Sequence, residues 1–426
     1  MKVLVIGHCV FSETESMGKT LSGYFSCFSK EDIAQFYIHS EIPTTSVCER
    51  YYRVTDKDII KSTFTFKSGK VFSKKDIREK EKTSRVDKGS EAKLYQFGRK
   101  RTPLIYILRN LWWKMGHWNT KKLNEWIDDF APDCVFFASG DYSFMYNIAL
   151  KIAKKRNIPL YISCMDDYYI NNRNSDKLLG RLYHKSFMKY VRKAINYSSS
   201  LFCICDKMSH DYEKMFDKKC YTVHTPASFD EPLQGEKKAK ISYMGNLGLK
   251  RHEQLIKIGQ ALKELNLDVK HIDVYSSEKR EEILKGLTPD NGIMFHGSVS
   301  AEKVKEIMAE SLAVIHTESF GADQRNAVKY SVSTKIADSL MSTTCIFAFG
   351  PSEIASMQYL SENNVAITAF DDMELPHKLR ELLNDEDLRK NISANAGNLA
   401  KANHLTDNTP KIICEVIEGS ENTNHI

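Results

Sequence analysis

At 426 residues the chain is too long for one ordinary core, and at roughly 100–200 residues per domain it should form two compact units. Its residues are 42% hydrophobic and 27% charged, a globular composition that excludes a disordered or fibrous chain. A formal net charge of +6 suits anionic ligands or a lipid surface without demanding nucleic acid.

The first apolar run, VLVIG (3–7), has no small-residue cleavage site after it and is predicted as a strand, not a secretory leader. No Gly-x-Gly-x-x-Gly accompanies Gly7, so the dinucleotide fingerprint is missing and a dehydrogenase is not expected. Gly18-Lys19-Thr20 imitates the end of a phosphate-binding loop, but the required upstream glycine is Glu13, whose carboxylate would repel phosphate. The 10 cysteines include no Cys-x-x-Cys pair, and Cys134, Cys164, Cys203, Cys205 and Cys345 lie in apolar runs. They read as buried thiols of a protein in a reducing cytoplasm, and no metal site is expected.

From about Thr63 to Thr102 the chain turns rich in Lys, Arg, Glu and Ser, which predicts an insertion in the first domain. The stretch 94–126 follows, with Arg99, Lys100, Arg101, Arg109, Lys114, Lys121 and Lys122 beside all four tryptophans, Trp112, Trp113, Trp118 and Trp126. It has two readings: a helix lying at a lipid headgroup layer, or a core helix with a solvated face. No nucleic-acid recognition fold accompanies the charge.

Short apolar runs then alternate with amphipathic stretches. Strands are predicted at CVFFAS (134–139), PLYISC (159–164), LFCIC (201–205), KISYMG (240–245), VKHIDVY (269–275), GIMFHG (292–297), LAVIHT (312–317), CIFAFG (345–350) and VAITAF (365–370). Helical patterns fall at 143–157, 252–265, 302–311 and 373–383. Such alternation predicts an α/β protein of two Rossmann-like, doubly wound domains, with the loops at strand ends facing a cleft. The charged, turn-rich PASFDEPLQGEKKA (226–239) reads as the linker, giving a first domain over 1–225, a second over 240–400 and a tail over 401–426 that packs back on the first.

Several polar residues stand at predicted strand ends, where open α/β sheets bind ligands. In the first domain these are His8, Asp141, Asp166 and Asp167; the paired acids also suit a helix cap. In the second, the turn Gly245-Asn246-Leu247-Gly248 leads to Lys250 and Arg251 at a helix start, which suits a diphosphate held by free N–H groups, the helix dipole and a guanidinium. The alternative there is a simple strand-to-helix turn with solvated cations. Glu318 ends a later strand, and Ser333, Thr334, Lys335 and Asp338 begin a helix on which Lys335 and Asp338 share a face. Lys335 would meet phosphate and Asp338 accept from ribose, or the two form a surface ion pair. Asp385-Glu386-Asp387 reads as an exposed turn and helix cap.

Three pieces, YMGNLGLKRHEQLIKIGQAL, FHGSVSAEKVKEIMAESLAVIHTES and STKIADSLMSTTCIFAFGP, together resemble the donor-binding domain of glycosyltransferase family 4, retaining enzymes of the GT-B fold. The resemblance implies that Arg251 binds the donor diphosphate, and that Lys335 and Asp338 contact phosphate and ribose. It departs where the family carries two glutamates eight positions apart: Glu318 is followed eight later by Asn326. The implied protein is a cytoplasmic transferase, at the inner face of a bacterial membrane, moving sugar from a nucleotide-diphosphate sugar to a glycan or lipid-linked glycan during polysaccharide assembly. The leaving diphosphate itself would accept the acceptor's proton, with Arg251 and Lys335 stabilising its charge, Asp166 or Asp167 orienting a substrate, and neither metal nor organic cofactor. An epimerase of the same fold, or a catalytically idle partner of a transferase, remains the alternative.

Overall fold

The computed structural model describes residues 1–12, 16–45, 47–73, 76, 102–170 and 178–419. The chain divides into two compact units, Met1–Val223 joined by the chain from Pro410, and His224–Thr409. This division differs from the sequence expectation at both crossings. The first crossing is at Val223/His224, and much of the expected linker packs within the second unit: Ala227 N–H donates to the His404 carbonyl at 2.8 Å, and Lys238 already opens a strand.

Among the described residues the first unit has eight strands: β1 (Val3–Gly7), β2 (Ile33–Tyr37), β3 (Arg50–Arg53), β4 (Lys70–Ser73), β5 (Cys134–Ala138), β6 (Leu160–Cys164), β7 (Ser200–Cys203) and β8 (Cys220–Thr222). Their order across the sheet is β4-β3-β2-β1-β5-β6-β7-β8, parallel except for the β3–β4 pair. Burial on both faces explains the unbroken apolar runs of β1 and β5. Sequence periodicity misses β2, β3, β4 and β8. In β2 the interruption is Gln35, fully buried, whose amide accepts from Phe11 N–H at 3.0 Å and donates to the Cys9 carbonyl at 3.1 Å, tying down the loop after β1. The helix Asn408–Glu418 closes this unit, with Ile413 and Ile417 in a core that includes Val3, Phe11 and Phe25.

Within the expected insertion, the helix Asp56–Thr65 ends on Phe66 and β4 adds an edge strand, so residues 63–73 are part of the fold. Arg99, Lys100 and Arg101 lie outside the described residues. The described part of the basic aromatic stretch contains the helix Pro103–Met115 and the start of the helix Lys121–Phe130. Its tryptophans favour the core reading: Trp113, Trp118 and Trp126 are buried, Trp113 stacks on Phe144 at 4.5 Å, and its indole N–H donates to Asp56 at 2.7 Å. Buried Arg109 shares that carboxylate at 2.8 Å, and each group satisfies the other where an unpaired charge would be costly. Among the described residues no helix is long and apolar enough to cross a membrane.

The second unit holds six parallel strands, β9 (Lys238–Met244), β10 (Ile272–Tyr275), β11 (Ile293–Gly297), β12 (Ser311–Thr317), β13 (Cys345–Phe349) and β14 (Ile367–Ala369). Their order is β11-β10-β9-β12-β13-β14, the doubly wound pattern with its switch point between β9 and β12. Amphipathic helices such as Arg251–Leu265 and Glu374–Asn384 bury Leu255, Ile258 and Leu379 against the sheet.

Candidate functional site

The carboxyl end of β9 passes into a turn that needs a residue without Cβ. At Gly245 a Cβ would come within 2.7 Å of the Tyr243 hydroxyl, which itself donates to the Asn246 carbonyl at 2.7 Å. Asn246 accepts from Gly248 N–H at 2.6 Å, and Leu249 and Lys250 then adopt left-handed backbones at φ 56° and 59°. Two consecutive non-glycine residues in that region cost roughly 1–2 kcal/mol each, strain of the kind that collects at functional sites. The turn delivers Arg251 to the first position of the helix Arg251–Leu265, beside the end of β12.

There the Arg251 guanidinium meets Glu318 as a fork, Nε to Oε2 at 3.0 Å and Nη2 to Oε1 at 2.7 Å. Glu318 is 2% exposed, and its backbone lies close to Gly350, where a Cβ would be 3.1 Å from the Glu318 carbonyl oxygen. Burial pushes the Glu318 carboxyl above its usual range, with the hydrogen bonds and charge of Arg251 pulling the other way. Burial also works against the charge on Arg251, but Glu318 outweighs it and holds the guanidinium pKa above its ordinary value. His316, on the same strand end, is held neutral, its pKa lowered to about 3 by burial and then by Arg251; its Nε2 lies 3.0 Å from Ser356 Oγ.

Lys335 enters the same pocket from the helix Thr334–Met341, capped by Ser333, whose hydroxyl accepts from Lys335 N–H at 3.4 Å. Much of the lysine remains exposed, yet desolvation and then the Arg251 charge lower its pKa, with Asp338 opposing them. The pocket therefore gathers Gly245, Asn246, Arg251, Glu318, Ser333 and Lys335, to which the sequence reading adds neither Tyr243 nor Thr317. Gly248, Lys250, Thr334 and Asp338 do not line it. Lys250 instead pairs with Glu253 at 3.5 Å, and Asp338 Oδ1 accepts from Ser228 N–H at 2.6 Å. Two cations, one carboxylate and a helix N-terminus make a site of net positive charge, suited to a polyanionic ligand.

The first unit has a pocket at its own switch point, between β1 and β5, lined by His8, Ser139, Asp141, Tyr142 and Tyr168 among others. His8 stacks on Tyr142 with ring centres 5.4 Å apart, and the Arg109 guanidinium lies 4.1 Å from the centre of the same Tyr142 ring. Asp141 Oδ2 accepts from the Tyr106 hydroxyl at 2.6 Å and its carbonyl from Tyr183 at 2.8 Å. The paired acids separate in role. Asp167 is buried, and its Oδ1 accepts from Tyr169 N–H, Ile170 N–H and the Tyr212 hydroxyl at 3.0, 2.9 and 2.7 Å. That carboxylate anchors the loop after β6, which favours the cap over the substrate-orienting role among the two readings of Asp167. Asp166 accepts from Asp167 N–H at 2.9 Å and does not line the pocket. Asp385 caps the helix Glu386–Asn403 through Leu388 N–H at 2.8 Å.

No protein-family model and no characterised protein sequence matches the chain. Solved structures do. HepE from Anabaena, solved with UDP, superposes with a TM-score of 0.63 over 98% of this chain and 100% of that one at 9% identity. WaaG, a glycosyltransferase involved in lipopolysaccharide biosynthesis, gives 0.54 over 98% and 100% at 12% identity. A glycosyltransferase from Rickettsia africae gives 0.59 over 99% and 100% at 13% identity. The chain has the GT-B fold. Both Rossmann-like units of this GT-B chain thus carry a polar pocket where strand order reverses. What sequence reasoning missed in them, the Arg251–Glu318 fork and the Asp141 hydroxyl partners, joins residues 67, 35 and 42 positions apart, with no local signal.

Proposed function

We propose that this GT-B chain is a glycosyltransferase that takes a sugar from a nucleotide-diphosphate donor bound in the second unit. The observation that carries the reading is the convergence of Arg251, Glu318 and Lys335 at the β9/β12 switch point. Arg251 and Lys335 hold the diphosphate and stabilise the charge that develops on it as the glycosidic bond to the donor breaks. Asp338 lies outside the pocket lining with its Oδ1 held by Ser228, and would reach the ribose hydroxyls only from the pocket's edge, with its Oδ2. Because Glu318 is bound on both oxygens by Arg251, it is poorly placed as a nucleophile, so transfer with retention would proceed without a covalent intermediate on it, a diphosphate oxygen taking the acceptor's proton. The acceptor, a glycan or lipid-linked glycan, lies at the His8/Asp141 pocket, and the setting is surface-glycan assembly at the cytoplasmic face of a membrane.

Similarity to HepE, solved with UDP and with UDP-glucose, makes uridine the first base to test. Incubation with UDP-, GDP- and ADP-linked sugars and a glycan acceptor should release the free nucleoside diphosphate and a new glycoside of retained configuration. An epimerised donor, or nucleotide binding without turnover, would overturn the reading.

A further inference from the structure

The helix Pro103–Met115 lies between the helices Asp56–Thr65 and Leu178–Tyr197 on the first unit. Its inner face is accounted for by Ile105, Tyr106, Arg109 and Trp113. Its outer face is also apolar: Leu104, Leu111 and Met115 recur at i, i+7 and i+11, with half-buried Leu108 at i+4 continuing one helical stripe. A soluble surface helix should be polar there.

The two flanking helices also expose apolar side chains. On one, Phe64 is 84% exposed and Phe66 68% exposed, and Phe66 occupies the helix C-cap in a left-handed backbone at φ 56°, where glycine or asparagine is favoured. The chain thus tolerates both backbone strain and an exposed ring at one residue. On the other, Leu178, Leu179 and Leu182 occupy the opening turns of the helix Leu178–Tyr197, each at least 47% exposed. Scattered single apolar residues need no explanation, but exposed leucines, phenylalanines and a methionine gathered on one helix and the two helices packed against it mark an interaction surface.

Charge identifies the partner. The helix Leu178–Tyr197 carries Arg181, Lys185, Lys189, Arg192 and Lys193 and no Asp or Glu, and the helix Pro103–Met115 also has no acid. Lys61, Lys67 and Lys114 are exposed beside the phenylalanines and Met115. The acids of the third helix are engaged elsewhere, Asp56 by Arg109 and Trp113 and Asp58 by the Thr55 N-cap. Leucine and phenylalanine side chains beside cations, on helices whose acids are absent or engaged among the described residues, match the acyl boundary and headgroups of an anionic bilayer.

We infer that this three-helix face of the first unit is the surface by which the chain sits on an anionic lipid bilayer. The inference deepens the lipid-linked acceptor reading above and rests on it only for what the membrane would supply. It also replaces Trp113, Trp118 and Trp126, which are buried, with leucines, Met115 and phenylalanines as the inserting groups.

The full chain should sediment with vesicles of phosphatidylcholine and phosphatidylglycerol in equal parts and not with phosphatidylcholine alone, and added salt should release it. Arg181→Ser with Lys185→Ser, on a solvated face that does not hold the fold, should weaken partition on the order of tenfold or more. Leu111→Ser with Met115→Ser should weaken it as much, with circular dichroism reporting whether that variant remains folded. UDP binding by calorimetry should be the same in wild type and both variants, so a failure of the donor reading would show there and leave the vesicle result standing. Equal binding to neutral and anionic vesicles, unaltered partition in the charge variant, or a dimer abolished by these substitutions without vesicle binding would each overturn the inference.

Discussion

Arg251 and Glu318 form a buried pair whose two members are unequal in what they leave behind. Glu318 is almost sealed from solvent and carries no second cation, so removing Arg251 strands a carboxylate in the core, at a cost of roughly 3–5 kcal/mol if it stays ionised. Lys335 is exposed over much of its length and its loss leaves no such debt. Arg251→Ala and Lys335→Ala should each reduce sugar transfer by about tenfold to a thousandfold, the range for one charge-stabilising group. Only Arg251→Ala should also lower the melting temperature, and adding Glu318→Gln should restore most of that stability without restoring turnover. Equal thermal stability of the two single variants would show that the fork is not buried as described.

Between the last two helices, Glu386–Asn403 and Asn408–Glu418, His404 is buried with its Nδ1 2.7 Å from the Thr225 carbonyl and its Nε2 2.9 Å from the Tyr359 hydroxyl. The His224 ring lies 5.3 Å away, ring centre to ring centre. Burial first, and His224 second, lower the His404 pKa from 6.5 to about 4. Above pH 6.5 neither the folded nor the unfolded chain protonates this residue and it has no pH effect. As pH falls from 6.5 toward 4 the unfolded chain gains a proton that the folded one refuses, so stability falls, by up to about 3 kcal/mol for a shift of this size. Urea unfolding across that window should show the loss, and His404→Gln, which cannot gain a proton, should flatten it. A pH dependence unchanged in His404→Gln would assign the acid sensitivity to other groups.

At the scale of the molecule, the chain leaves the first unit at Val223 and returns to it at Pro410, so the core of the first unit includes residues from both ends of the sequence. Ile413 and Ile417 are buried there against residues such as Val3 and Phe25. Replacing each with Ala should cost roughly 2–5 kcal/mol. Because those contacts belong to the first unit, Ile413→Ala with Ile417→Ala should lower that unit's unfolding transition while UDP still stabilises the second by mass action. A loss of UDP binding in parallel with the first transition would show that the two units unfold as one.

The α/β class, and the doubly wound form of both units, were legible in the alternation of apolar runs with amphipathic stretches, because the backbone periods of strand and helix are local properties of the chain. β2 and β3 were not legible, since Gln35 interrupts one and Arg50 and Arg53 bound the other; both strands are recognised only by what lies on either side of them in the sheet. In the same way the turn at Gly245, Arg251 at a helix start and Lys335 with Asp338 could be marked as polar groups at strand ends from sequence alone. That Arg251 is forked to Glu318, that Asp338 holds Ser228, and that Asp167 is occupied by three donors were decided by tertiary structure. Each of those partnerships joins segments that strand order and helix packing bring together, and a carboxylate's role depends on which donors reach it, a quantity no local pattern encodes.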